Sequence, residues 1–291
     1  MMDTAPAPAP AGQPARPHSR RTAPDLERVR GKISLGARAD GGVTRLVRNY
    51  QEGAGKVRFP RRAAEAPLEA VVINTAGGLT GGDRFAVSVA LDQGARAVVT
   101  TQAAERIYRR AAGHAAIATD IMVGPGGALD WLPQETIVFD RSAFRRTLDA
   151  DVDPAGRLLA IEAIVLGRTA MGERAENVAV SDNWRVRRGG ELIFADGLRL
   201  DGDAPAILAG GATGAGAAAL ATLVLVAADA GTHVEAARGA LAACAGEAGV
   251  SAWNGMLVAR LLAPTGQALR AGLVGLVECL RDEPMPRVWA C

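Results

Sequence analysis

From about residue 30 to 203, apolar and polar residues alternate with period two, and turn-forming residues interrupt the pattern roughly every ten to fifteen positions. Such a rhythm buries one face of each strand and leaves no room for a helix of ordinary length. It reads as a run of half-buried antiparallel strands. Phe85, Val87, Val89 and Leu91 alternate with Ala86, Ser88 and Ala90. Leu148, Ala150 and Val152 alternate with Asp149, Asp151 and Asp153, which places three carboxylates on one solvated face. Trp184 and Val186 alternate with Arg185 and Arg187, and Gly189-Gly190 then supplies the positive φ of a tight hairpin before Glu191-Leu-Ile-Phe194 returns. Further turns are expected at 92–94, 124–127, 196–197 and 201–202. The one exception to the strand pattern is a short turn of helix within 103–112, where Glu105, Arg106, Arg109 and Arg110 would share a face.

After residue 220 the texture changes. The apolar run Thr222-Leu-Val-Leu-Val226 reads as a strand, and Thr232 and Glu235 have the spacing of a capping box that opens a helix running to about Glu247. Residues 255–263 read as a second strand ended by Pro264. Leu269, Leu273, Leu276, Val277 and Leu280 then recur at three and four residues, the stripe of an amphipathic helix. The expected fold is mainly β, with a C-terminal βαβα segment contributing two helices. Residues 1–25, rich in Ala and Pro, read as a disordered tail. Residues 26–291 read as a single domain, with a β-rich body to about 203 and an α/β portion over 204–291. The stretch 204–228 has no charged residue and is long enough to cross a bilayer, but its first half is Gly-rich with a Pro, so a loop running into a buried strand is expected.

The charge balance excludes a polyanion-binding protein: 33 basic against 31 acidic residues leave a formal charge of +2, far from a phosphate-backbone footprint. Cys244, Cys279 and Cys291 form neither a disulfide framework nor a metal knuckle, and suit a reducing cytoplasm. The N-terminus lacks the apolar core of a secretory signal.

Motifs for chemistry are sparse. Asn74-Thr-Ala-Gly-Gly-Leu-Thr-Gly-Gly-Asp83 is the densest glycine cluster, yet Asp83-Arg84 stands where a nucleotide-binding loop needs Lys followed by Ser or Thr. As a plain turn it accounts for Gly77, Gly78, Gly81 and Gly82 but not for the Asn, Thr and Asp beside them. Gly214-Ala-Gly-Ala-Ala-Ala219 loosely matches a dinucleotide fingerprint without the strand, helix and acidic residue that must accompany it. His18, His114 and His233 have no nucleophile elbow nearby, and no His/Cys pair has metal-ligand spacing. The carboxylates are more informative. Glu135 and Asp140 flank the apolar Thr136-Ile-Val-Phe139, and Glu173 follows the apolar run 161–166. A carboxylate beside a buried segment is costly unless paired, hydrated or coordinating. Two readings are open: pairing with arginines such as Arg106, Arg141, Arg168 and Arg174, or a hydrated passage for a divalent cation.

Four blocks carry a resemblance. The glycine cluster 74–83, Thr100-Thr-Gln-Ala-Ala-Glu-Arg-Ile-Tyr108, Leu132-Pro-Gln-Glu-Thr-Ile-Val-Phe-Asp140, and Gly167-Arg168 with Met171-Gly-Glu173 resemble the UreD (UreH) urease accessory family in order and spacing. Gly55-Lys-Val-Arg-Phe-Pro60 and Pro286-Arg-Val-Trp289 extend the likeness from about residue 30 to the C-terminus. The resemblance implies an irregular β-helix-like or sandwich-like body. It implies a non-enzymatic chaperone of urease maturation that docks on the apo-urease structural subunits and, with UreF and the GTPase UreG, helps deliver nickel. No tightly bound cofactor, nucleic acid or membrane partner is implied, only transient nickel(II). Asp83, Glu105, Glu135, Asp140 and Glu173 are then the candidates for lining or supporting a nickel passage, since hard oxygen ligands pass a divalent ion on without trapping it as a thiolate does. Gly77, Gly78, Gly81 and Gly82 would shape the loop. The competing readings are a scaffold that handles no metal and an unrecognised hydrolase or oxidoreductase.

Overall fold

The computed structural model describes residues 1–2, 27–63, 65–168, 171–281 and 283–290. The expected tail and Cys291 lie outside the described residues, apart from Met1 and Met2. Two sheets face each other. The seven-stranded sheet runs β14 (Glu191–Gly202), β13 (Val178–Arg188), β11 (Ala143–Val152), β8 (Ala115–Val123), β5 (Arg84–Leu91), β1 (Arg30–Asp40), β2 (Val43–Gly53). The ten-stranded sheet runs β16 (Glu247–Trp253), β17 (Met256–Ala263), β15 (Ala219–Val226), β12 (Arg157–Leu166), β9 (Ala128–Leu132), β6 (Arg96–Thr101), β4 (Leu68–Asn74), β3 (Gly55–Arg58), with β10 (Thr136–Val138) and β7 (Glu105–Ile107) paired alongside β12.

From β4 to β13 the chain crosses back and forth between the sheets, so that β1, β5, β8, β11 and β13 are mutually parallel, as are β4, β6, β9 and β12. The body is therefore a two-faced coil of stacked β-turns, a β-solenoid. The antiparallel expectation is corrected for this core and holds only at its flanks, in β1–β2, β3–β4, β13–β14 and the C-terminal β12–β15–β17–β16 run. Period two reports that one face is wet; it carries no information on strand direction.

The two sheets differ in how they meet water. In β5 every second residue is buried, Phe85 through Leu91, and its other face is accessible. In β12 nearly every residue is buried, because Leu158, Ala160, Ile164 and Leu166 face the inter-sheet core while Leu159, Ile161 and Ala163 face a second core under the C-terminal helices. A parallel strand covered on both faces reads as a continuous apolar run, as 158–166 does. The helices α2 (Val234–Leu241) and α3 (Gly266–Cys279) supply that cover. Leu269, Leu273, Leu276 and Val277 are buried as the stripe predicts, each contributing about 1.5–3 kcal/mol, and the Thr265 hydroxyl caps α3 by accepting from Ala268 N.

Four local expectations are corrected. Residues 105–107 are a strand, because β10 takes their backbone into a parallel ladder. The Asp196-Gly197 turn is absent: β14 continues through it, opposite Asn183 and Trp184. Thr232 does not cap α2, since its hydroxyl donates to the Asp229 carbonyl within a 3-10 turn. Helix α2 then stops at Leu241, and Glu247 begins β16, a strand whose Gly- and Ala-rich sequence hid it. The uncharged stretch 204–228 opens with α1 (Ala204–Leu208), capped by the Asp203 carboxylate on Ala206 N, and ends in β15 as a buried strand. Among the described residues no helix is long and apolar enough to cross a membrane.

Candidate functional site

On the inward face of β11, Phe144, Arg146, Leu148 and Ala150 share one parity, so a guanidinium is committed to an apolar interior. It survives there because it is enclosed by acceptors. Asp182, directly opposite on β13, takes Arg146 Nε at 3.0 Å and Nη2 at 2.6 Å. Glu162 reaches from β12 to Nη1 at 2.5 Å, and the Thr136 hydroxyl accepts from the same nitrogen at 3.0 Å. Trp131 Nε1 donates to the other Glu162 oxygen at 3.1 Å. Arg146, Glu162 and Asp182 are at most 7% exposed.

Beside this cluster lies a cavity of about 230 Å³ between the sheets. Phe85, Val87, Ile117 and Thr119 form one wall, and Val72, Thr101 and Trp131 the other. Arg146 and Glu162 border its enclosed end; Asn74, Gly77 and Glu105 border its outer end. The Asn74 amide donates to both Glu105 oxygens, at 3.2 and 3.1 Å.

Both carboxylates on the cavity titrate high. Burial raises Glu105, against the Asn74 amide and the Arg106 N–H. Burial also pushes Glu162 up to about 7; Arg146 opposes the shift, and the nearby Asp182 carboxylate adds to it. Burial favours the neutral form of Arg146, but Asp182 and Glu162 outweigh that and hold it firmly cationic. One guanidinium facing two carboxylates leaves the cluster short of a positive charge, so a proton, or a passing cation, is the natural complement near neutral pH.

This has a stability consequence. Glu162 holds its proton more tightly folded than unfolded, so the stabilisation is complete below the ordinary carboxylate range and is lost as pH rises through about 7. Between roughly pH 5.5 and 8 the protein should lose about 2 kcal/mol relative to Glu162→Gln. Parallel urea titrations of the two proteins would measure it, and curves that stay parallel across that range would refute the assignment.

Of the five carboxylates singled out in the sequence, Glu105 borders the cavity. The other four are not among the residues that line it. Asp83 is 2% exposed, and its oxygens accept from Val29 N at 2.9 Å and Thr80 N at 2.8 Å, tying the glycine loop to the segment entering β1. Glu135 is buried against Arg270, whose Nη1 lies 3.0 Å from both its oxygens. The same guanidinium stacks 4.7 Å over Trp289 and donates to its carbonyl, so this pair joins α3 and the C-terminus to the cavity segment 134–136. Asp140 accepts from Asn177 N and lies 3.5 Å from Arg141. Glu173 pairs with Arg168 at 2.5 Å, and Arg168 covers the Phe139 ring at 4.4 Å.

The glycine cluster folds as a tight loop. A side chain at Gly78, where φ is +148°, would strike the Tyr108 ring and the Arg106 carbonyl, and one at Gly81 would strike the Ala112 carbonyl. Gly77 and Gly82 also have positive φ. Leu79 N and O bond to Arg106 O and Tyr108 N, which draws the loop onto β7 and the cavity's outer end. Among the described residues no group of three His, Cys, Asp or Glu side chains is assembled as a metal site.

Sequence reasoning missed Arg146, Asp182 and Glu162. A signal was present: extending the apolar parity of Leu148–Val152 and Trp184–Val186 two residues upstream lands on Arg146 and Asp182. Only an obligatory buried cluster reconciles charges with those positions.

Fold and site together define a β-solenoid with a largely apolar cavity between its sheets, into which two carboxylates and a guanidinium are set. A family model described as the UreD urease accessory protein matches residues 29–290. Among curated relatives, urease accessory protein UreD 2 of Methylorubrum populi is 49% identical, covering 93% of each chain. UreD of Brucella suis is 47% identical over 91% of this chain and 95% of its own, and UreD of Rhizobium rhizogenes 46% identical over 90% and 96%. The chain belongs to the UreD urease accessory protein family, whose members are named as accessory proteins and not as enzymes.

Proposed function

We propose that this protein acts in the cytoplasm in urease maturation, docking on apo-urease and, with UreF and UreG, passing nickel(II) to the urease active site through the cavity between its sheets. The observation that carries the reading is the placement of Glu105 and Glu162 at the outer and enclosed ends of one cavity, both with raised affinity for a proton. Hard carboxylate oxygens bind a divalent cation, and two ligand points without a third give it no resting place. Asp83, Glu135, Asp140 and Glu173 support the walls in this reading: they hold the glycine loop, segment 134–136, the loop at 140 and the side chain of Arg168. Nickel is cargo here, not a resident cofactor.

The test is a urease operon expressed with and without this chain, followed by measurement of nickel content and activity of the purified urease. Nickel-poor, inactive urease in its absence, restored by supplying it, is the expected result. Normal nickel without it would exclude a maturation role.

A further inference from the structure

The outer face of the seven-stranded sheet is not uniform. The strand register aligns Arg30 of β1 with Arg84 of β5, Arg84 with Ala116 of β8, Ala116 with Arg145 of β11, Arg145 with Ser181 of β13, and Ser181 with Arg199 of β14. Four exposed arginines thus occupy one rung across six strands, a line about 24 Å long at the usual strand spacing. Arg110, also exposed, joins Arg145 and Arg199 around a shallow groove. Arg199 has Asp201 at 3.3 Å, and Arg110 donates to the Gly113 carbonyl; Arg30, Arg84 and Arg145 have no carboxylate partner among the described residues. The convergence is felt by His114 in the same groove: burial lowers its pKa, and Arg145, Arg110 and Arg84 lower it further.

The next rung, Lys32, Ala86, Ala118, Thr147, Asn183 and Gly197, is mostly small, so the guanidiniums stand clear of their neighbours. One rung further, Asp120 and Asp149 bring in negative charge, with Arg185 3.8 Å from Asp149. On this face, then, the arginines of the rung stand two rungs from the carboxylates of that register, Asp120 and Asp149.

We propose that this arginine rung is a docking surface for the acidic face of a protein partner, a proposal that rests on the docking part of the function above. A long phosphate polymer would run off the band onto Asp120 and Asp149, and a small anion needs a closed pocket, whereas a row of carboxylates on a protein matches a straight line of forked donors. Arg145 and Arg146 are neighbours on opposite faces of β11, so a partner on this rung sits one sheet thickness from the cavity.

The experiment co-expresses the tagged full-length chain with the urease operon and compares wild type, Arg84→Glu/Arg145→Glu and Arg84→Lys/Arg145→Lys. Operon proteins that co-purify are quantified at about 0.1 M and 0.5 M salt. Charge reversal should lower recovery of at least one of them about tenfold, the lysine variant should retain most of it, and wild-type recovery should fall at high salt. A reversed variant with an unchanged melting temperature that recovers every partner at wild-type level would overturn the proposal. So would capture of a duplex DNA probe, or self-association, that the reversal abolishes, since either assigns the rung to another occupant. Loss of recovery in a chain whose deletion leaves urease nickel normal would sink the maturation role and leave the surface standing.

Discussion

Replacing Arg146 with methionine is expected to destabilise the protein by about 3–5 kcal/mol, a large part of a typical domain's margin. The mechanism is the stranding of Glu162 and Asp182. Both are buried, and both use the guanidinium as their common counter-ion. A methionine fills much of the arginine's volume, so the loss comes from uncompensated charge and not from a void. Glu162 has a partial escape, since its pKa of about 7 lets it take a proton, so the loss should be smaller in mild acid. Adding Glu162→Gln and Asp182→Leu should recover most of the stability, because a neutral, well-packed cluster often equals a buried ion pair. Urea unfolding followed by tryptophan fluorescence reads the effect through Trp131 and Trp184. A single variant as stable as wild type would show that the cluster is not held by charge.

The second large effect concerns the cavity. Glu105→Gln/Glu162→Gln keeps the shape, leaves an amide oxygen for Asn74 and another for one of the two donors Arg146 and Trp131, and removes both ionisable oxygen pairs. Urease matured with this variant should contain at least tenfold less nickel than with wild type, while the variant still co-purifies with its partners. Thr119→Phe, which projects bulk into the same cavity from β8, should act alike without touching a carboxylate. Loss of nickel by both routes with assembly intact is the signature of a conduit. Full nickel loading by both would establish the scaffold reading, in which Glu105 and Glu162 are structural like Asp83 and Glu135. Glu135→Gln separates the roles: it should loosen the Arg270 and Trp289 clasp and lower stability without a specific loss of nickel.

Much of the architecture was written in the chain. Alternation over Phe85–Leu91 and Leu148–Val152 marked inner and outer faces, and the 269–280 stripe marked the helix that covers the second core. These are local signals: a side chain's parity or turn position fixes its face regardless of what lies opposite. The four sequence blocks likewise pointed to the family that the comparisons established. Of the cavity, Glu105 was legible, and the loop glycines that close on Tyr108 and Ala112 were recognisable as a tight turn.

What one dimension does not hold is which strand lies beside which. Parallel stacking of β5, β8 and β11 depends on crossings between sheets, and the same alternation would serve an antiparallel meander. The partners of Arg146 stand 16 and 36 residues away and meet it only because register sets β11 against β13 and packing brings β12 across. Glu135 finds Arg270, not a nearby arginine, for the same reason. The arginine rung exists only as a row across five strand pairings. Local sequence chooses the face of each side chain; long-range register chooses its neighbours, and charge at short distance turns those neighbours into a site.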